Sequence, residues 1–167
     1  MEDYVSANGI NMAYRFDGPE DGPVLMLSNS LMSTHRMWDP QMTAFCAHFR
    51  VLRYDTRGHG ATETTEGPYS IDLLARDAEA LIEVLGVGPV HFLGLSMGGM
   101  IAQRLAVNRP NLVLSLSLCD TASEMPTQAM WNDRIATANA QGVEGLLPGT
   151  IKRWFTPGFI ERSPAAV

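Results

Sequence analysis

The chain is short of lysine, cysteine and late histidine, and each shortage narrows what it can do. Lys152 is the single lysine among 167 residues, so nearly all of the positive charge is arginine. With a formal net charge of -6 there is no basic excess of the kind that binds nucleic acid or an anionic membrane surface. No run approaches the ~18 consecutive apolar residues of a membrane span. The acidic start Met1-Glu2-Asp3-Tyr4 lacks the basic and apolar stretches of a secretory leader. Cys46 and Cys119 stand far apart in apolar segments, with no C-x-x-C and no Cys/His pair at metal-ligand spacing. They read as free thiols of a soluble cytoplasmic protein that holds no metal and needs no cofactor. Histidine stops early: His35, His48, His59 and His91 are the four present, and none follows His91.

What is present alternates between strand and helix. Two short alternating segments, Tyr4-Val5-Ser6-Ala7 and Asn11-Met12-Ala13-Tyr14-Arg15-Phe16, flank Asn8-Gly9, a dipeptide suited to the positive φ angles of a tight hairpin turn. Val24-Leu25-Met26-Leu27-Ser28 and Val51-Leu52-Arg53-Tyr54 read as strands covered on both faces, as in a mostly parallel sheet. Between them Met42, Phe45, Cys46 and Phe49 fall at helical spacing, with Pro40 in the first turn. The clearest helix follows: Ser70 can cap it, Ile71, Leu74, Ala75, Ala78, Leu81, Ile82 and Leu85 form an apolar stripe, and Gly86 ends it. Asp72, Arg76, Glu79 and Glu83 lie on the other side as a solvated face. Residues 112–118 supply one more strand. This alternation from Val24 to Leu118 is the pattern of an α/β fold with crossover connections.

The chemistry is concentrated at Gly94-Leu95-Ser96-Met97-Gly98, which reads G-x-S-x-G. The apolar run Pro89-Val90-His91-Phe92-Leu93 precedes it and a helical run begins at Gly99. A strand that turns sharply into a helix exposes the serine, and glycine at the flanking sites lets the two backbones approach closely. Ser96 is therefore the candidate nucleophile.

Four segments taken together carry a resemblance. They are Leu27-Ser28-Asn29-Ser30-Leu31, Met37-Trp38-Asp39-Pro40-Gln41, Arg53-Tyr54-Asp55-Thr56-Arg57-Gly58-His59-Gly60 and Gly94-Leu95-Ser96-Met97-Gly98-Gly99-Met100. In this order they resemble the α/β-hydrolase superfamily, and their wording is similar to its 3-oxoadipate enol-lactonase branch. Gly67-Pro68-Tyr69-Ser70, Leu118-Cys119 and Trp154-Phe155-Thr156-Pro157 extend the likeness over nearly the whole chain.

The resemblance implies a mostly parallel sheet opened by an antiparallel hairpin, with residues 1–120 as the N-terminal part of the core and 121–167 as the start of a helical cap. It implies that the backbone N–H groups of Met97 and Leu31 hold the oxyanion, a plain strand-to-helix turn being the other reading of residues 29–31. In such folds the acid and then the histidine follow the serine along the chain. No histidine follows Ser96, so the fold is expected to be incomplete at its C-terminus, with the missing groups in a further portion of the chain or in a partner chain. Asp120, after the strand that follows the elbow, is a candidate acid or a loop cap. His59 is read as part of a structural turn, His91 as a hydrogen-bonded core residue, and His35 as a solvated loop residue or one close enough to the oxyanion loop to reach substrate.

The substrate implied is a small lactone or ester bearing a carboxylate. Trp131 and Arg134, three residues apart, would offer it an aromatic wall and a fork-shaped donor from one helix face, or are ordinary surface and core. Three functions stand: a lactone hydrolase of the 3-oxoadipate enol-lactone type, another carboxylesterase or cofactor-free perhydrolase, and a non-catalytic binding protein that has lost its base.

Overall fold

A computed structural model describes residues 2–125 and 128–167; Pro126 and Thr127 lie outside the described residues. Residues 1–123 and 124–167 form two compact units.

The first unit is built on six strands. The hairpin is β1 (Asp3–Ala7) and β2 (Ile10–Asp17), joined at Asn8 (φ 48°) and Gly9 (φ 76°), the positive pair that an Asn-Gly turn supplies. It is followed by β3 (Val24–Ser28), β4 (Arg50–Tyr54), β5 (Val90–Leu95) and β6 (Val113–Cys119), and the spatial order is β1-β2-β4-β3-β5-β6. Strand β2 runs antiparallel to β4, whereas the β4-β3, β3-β5 and β5-β6 pairings are parallel. Leu27 pairs with Arg53 on one side and Leu93 on the other, and Ser28 with Gly94. The ends of β3 and β5 therefore emerge side by side, which brings the residue 28–33 loop beside the G-x-S-x-G turn.

Helix α2 (Ile71–Leu85) forms where its sequence stripe requires, after the short α1 (Met42–Phe45). Ser70 Oγ accepts the Leu73 N–H at 3.1 Å, and Gly86 ends the helix at φ 64°. Leu74, Ala78, Leu81 and Ile82 are buried with Met12, Met26, Tyr54 and Phe92, and with Ile101 and Leu105 of α3 (Met97–Asn108). A second cluster, Leu25, Leu27, Trp38 and Val51, covers the opposite face of the sheet.

Four details differ from the sequence expectations. The helix expected around Pro40 is a 3-10 turn over His35–Gln41 running into the four-residue α1; Thr34 Oγ1 caps it by accepting the Arg36 N–H. His35 is not solvated but buried, its ring Nδ1 3.1 Å and its backbone N 2.7 Å from Asp55 Oδ1. His91 is only half-buried; its Nδ1 meets Ser115 Oγ at 2.8 Å. The face of α2 read as solvated is partly tied down, with Asp72 paired to Arg104 and Glu79 and Glu83 to Arg109.

The second unit is helical: α4 (Gln128–Gln141), a 3-10 turn, α5 (Leu147–Trp154) and α6 (Pro157–Arg162). Thr156 caps α6, and Phe155 and Phe159 stack with ring centroids 5.5 Å apart. Helix α4 buries none of its residues, and Ile135 is exposed. Among the described residues no helix is long and apolar enough to cross a membrane.

Candidate active site

Ser96 sits between the last residue of β5 and the first of α3, at φ 53° and ψ -115°. This is left-handed territory for a residue with a Cβ, and such strain persists only where the surroundings fix it. Here they do. The Ser96 N–H donates to the Cys119 carbonyl at 2.9 Å, tying the turn to β6, while its own carbonyl accepts from Gly99 N, Met100 N and the Thr121 hydroxyl, the last at 2.7 Å.

The flanking glycines are required by close approach. A Cβ at Gly94 would run into the Gly98 carbonyl, and one at Gly98 into the Ser28 carbonyl, with the Asn29 carbonyl only 2.9 Å away. The N-terminus of α3 thus backs directly onto the start of the residue 28–33 loop. Met97 is the first residue of α3, so its N–H belongs to the group that no intrahelical carbonyl can satisfy, at the end of the helix that favours negative charge. Leu31 lies in the facing loop, and among the described residues its N–H has no hydrogen-bond partner.

That loop is anchored from below. Asn29, fully buried, donates through Nδ2 to the Tyr54 carbonyl and accepts the Trp38 indole N–H through Oδ1, each at 2.8 Å. Ser28 Oγ and the Tyr54 hydroxyl lie 2.8 Å apart; burial pushes the Tyr54 phenol well up, so it stays protonated. Asp55, at the end of β4, is nearly inaccessible. Burial works to raise its pKa, but hydrogen bonds from the His35 ring, Ala61 N–H and His35 N–H outweigh that and hold it below the usual carboxylate range.

The sequence did not show the partner of Arg57. Its guanidinium makes a two-pronged contact with buried Asp77 of α2, Nε to Oδ2 at 2.8 Å and Nη2 to Oδ1 at 2.6 Å, and Asn8 Nδ2 also reaches Asp77 at 2.6 Å. The signal was present: Asp77 falls between Leu74 and Ala78 on the apolar stripe, where a carboxylate has to be paired.

Asp120 follows β6 with φ 40° and is exposed. Among the described residues no histidine hydrogen-bonds to Ser96: His35 meets Asp55, His59 meets Met32 N and the Arg57 carbonyl, and His91 meets Ser115, while His48 is exposed. A groove of about 480 Å³ lined by Asp72, Met100, Gln103, Arg104, Val107 and Ser123 lies on the outward side of α2 and α3 and does not include Ser96. Within the second unit, the Arg134 guanidinium lies 4.8 Å from the Trp131 ring centroid. The Trp131 indole nitrogen is buried without a partner among the described residues. Burial, then nearby Arg153, pulls the Arg134 pKa down. Glu2, His35 and Asp55 present ligand atoms within 4.8 Å of one another, but both Asp55 oxygens are already taken by His35 and Ala61, which accounts for the cluster without an ion.

A family profile described as alpha/beta hydrolase fold matches residues 23–156. The 3-oxoadipate enol-lactonase 2 of Acinetobacter baylyi is 38% identical over 167 residues, which is all of this chain and 62% of that protein. A putative non-heme bromoperoxidase, BpoC, of Mycobacterium tuberculosis is 39% identical over 118 residues, 70% of this chain and 44% of its own length. Among solved structures, the enol-lactonase from Burkholderia xenovorans LB400 superposes with a TM-score of 0.94 at 39% identity, covering 98% of this chain and 64% of that one. The chain thus spans less than two thirds of the length of the two enol-lactonases.

Proposed function

We propose that this chain, which belongs to the alpha/beta hydrolase fold family, is the nucleophile-bearing portion of a serine hydrolase that opens a small carboxylate-bearing lactone of the 3-oxoadipate enol-lactone type. The observation that carries the reading is the backbone of Ser96: a non-glycine residue at φ 53° between strand and helix, fixed on both sides and flanked by glycines that admit no Cβ. Ser96 Oγ would attack the lactone carbonyl, and the Met97 and Leu31 N–H groups would stabilise the oxyanion. Collapse expels the ring oxygen as an enolate, which takes up a proton to become a ketone. Water then releases the acyl group from Ser96. The base that activates Ser96, and later the water, comes from outside these residues, in the part of the relatives' length that this chain does not span or on a partner chain. The groups of this chain that act in these steps are side chains and backbone amides, so the proposal includes no cofactor.

Length of match favours the lactonase reading over its neighbours. The enol-lactonase of Acinetobacter baylyi matches all 167 residues, and so includes the helical unit, whereas the bromoperoxidase matches 118. In that unit Trp131 is proposed as an aromatic wall for the substrate and Arg134 as the fork-shaped donor to its carboxylate. The similar identity of the bromoperoxidase, 39%, keeps a perhydrolase or general carboxylesterase as the second reading.

The two are separated by measuring kcat/KM of the natural-length protein on the enol-lactone and on a neutral aryl acetate, with and without Arg134→Ala. The lactonase reading predicts preference for the lactone, and a loss on Arg134→Ala of about tenfold or more, confined to the charged substrate. Equal losses on both substrates, or preference for the neutral ester, would favour the second reading.

A further inference from the structure

Ser30 and Leu31 share one peptide plane, and in that plane lies a device that nothing in the proposed reaction requires by itself. A trans peptide is rigid, so whatever holds its carbonyl also aims its N–H in the opposite direction. The Ser30 carbonyl is held twice by Ser33: the Ser33 hydroxyl donates to it at 2.7 Å and the Ser33 backbone N–H at 3.3 Å. Met37 Sδ lies 3.1 Å from the same hydroxyl, but one hydroxyl has one proton, and the nearby carbonyl is the better acceptor.

The next peptide is held from the other side. Met32 takes φ 65°, and its N–H donates to His59 Nε2 at 3.1 Å. His59 Nδ1 lies 3.1 Å from the Arg57 carbonyl, which can only accept. Nδ1 therefore carries the proton and Nε2 the lone pair, which is the tautomer that Met32 needs. The His59 turn is itself fixed, by His59 N to the Thr56 carbonyl at 2.8 Å and Thr62 N to the His59 carbonyl at 3.1 Å.

We infer that Ser33, with His59 as its counterpart on the following peptide, is a positioning residue that aims the Leu31 N–H at the oxyanion. Asn29 fixes where the loop starts, Ser33 fixes the plane that carries the donor, and His59 fixes the residue after it. A carbonyl that accepts two hydrogen bonds also polarises its own peptide, which strengthens the N–H at the far end. The arrangement accounts for two costs that a plain strand-to-helix turn would not carry: a left-handed methionine, and a Leu31 N–H without a partner among the described residues. Serine contributes one short donor here, and threonine would keep it.

The inference rests on Ser96 being the nucleophile, so the test separates the two. In the natural-length protein, Ser33→Ala, Ser33→Thr and His59→Leu are compared with the parent by kinetics on an aryl acetate, by fluorophosphonate labelling of Ser96, and by NMR exchange of the Leu31 amide. An oxyanion donor acts in the transition state, so Ser33→Ala is expected to lower kcat about tenfold while KM stays within about twofold. Exchange at Leu31 speeds up in Ser33→Ala and His59→Leu, and Ser33→Thr behaves as the parent in both measurements. If the parent's Ser96 does not react with the fluorophosphonate, the hydrolase reading falls and the oxyanion role with it. If Ser96 reacts but Ser33→Ala leaves kcat and Leu31 exchange unchanged, or moves KM and thermal stability together with kcat, the positioning role alone is overturned.

Discussion

Ser96 holds its side chain on a backbone that glycine would adopt at lower cost. At φ 53° and ψ -115° its Cβ adds strain of the order of 1–3 kcal/mol, offset by hydrogen bonds from the turn to Cys119 and Thr121. Ser96→Gly should remove that strain along with the proposed nucleophile, while the freer unfolded chain of the glycine variant returns part of the gain. The expected net effect is stabilisation by about 1 kcal/mol, a rise in Tm of about 2–4 °C by calorimetry, with complete loss of fluorophosphonate labelling. A fall in Tm would mean that the serine backbone is not strained. The elbow was legible because its requirement is local: a strand, a tight turn with glycine on both sides, and a helix. The Leu31 peptide was placed by resemblance, but its clamp was not legible. Ser33 and His59 are 26 positions apart in sequence, with nothing in either segment to announce that they grip consecutive peptides.

Helix α2 shows what an element can announce and what it cannot. Its stripe, its serine cap and its left-handed Gly86 stand where the sequence put them, because amphipathic periodicity and capping act within a few residues. The acidic residues along it differ in the face they occupy and do different things. Asp72, Glu79 and Glu83 meet arginines of α3 or just beyond it at partly exposed positions, where pairing contributes little. Asp77 is buried and binds Arg57 from the turn after β4, with Asn8 from the hairpin, so three distant segments converge on one carboxylate. Asp77→Ala would leave the Arg57 guanidinium buried and unpaired. Urea unfolding should show a loss of about 3–5 kcal/mol, against less than about 1 kcal/mol for Glu83→Ala. Equal effects from the two would contradict this division. The helix expected after Pro40 forms only over Met42–Phe45, and the 3-10 turn that precedes it answers to contacts of longer range. Thr34 starts a 3-10 turn at His35, and the pairing of His35 with Asp55, twenty positions away, fixes where the chain must go.

Taken whole, the first unit is a sheet whose loops at one end are tied together by buried polar groups, and this sets its acid limit. Asp55 is held below its ordinary pKa in the fold, by the His35 ring and by two backbone N–H groups, against the opposing effect of burial. The stabilisation from its charge is fully present above its unfolded pKa of about 3.9 and is lost as pH falls through the lower folded value. Unfolding midpoints should therefore drop below about pH 4, and Asp55→Asn should flatten that slope while lowering stability at neutral pH. An unchanged slope would remove Asp55 from the acid response.

On the other side of the sheet, β6 pairs only with β5 among the described residues and leaves Leu114 and Leu118 exposed. The sequence reads this segment as an ordinary strand of an α/β sheet, since exposure depends on what lies beside a strand and not on its own residues. An unpaired strand of this kind next to the elbow is open to pairing with another strand.

The central claim is that Ser96 is a nucleophile completed from outside these residues. It is tested most directly by fluorophosphonate labelling of the natural-length protein and of the 167-residue chain, mapped by peptide mass spectrometry. The account predicts modification at Ser96 in the natural-length protein, none in its Ser96→Ala variant, and labelling of the shorter chain at least about a hundredfold slower because the base is missing. A folded natural-length protein that stays unlabelled, or a shorter chain that labels just as fast, would contradict it.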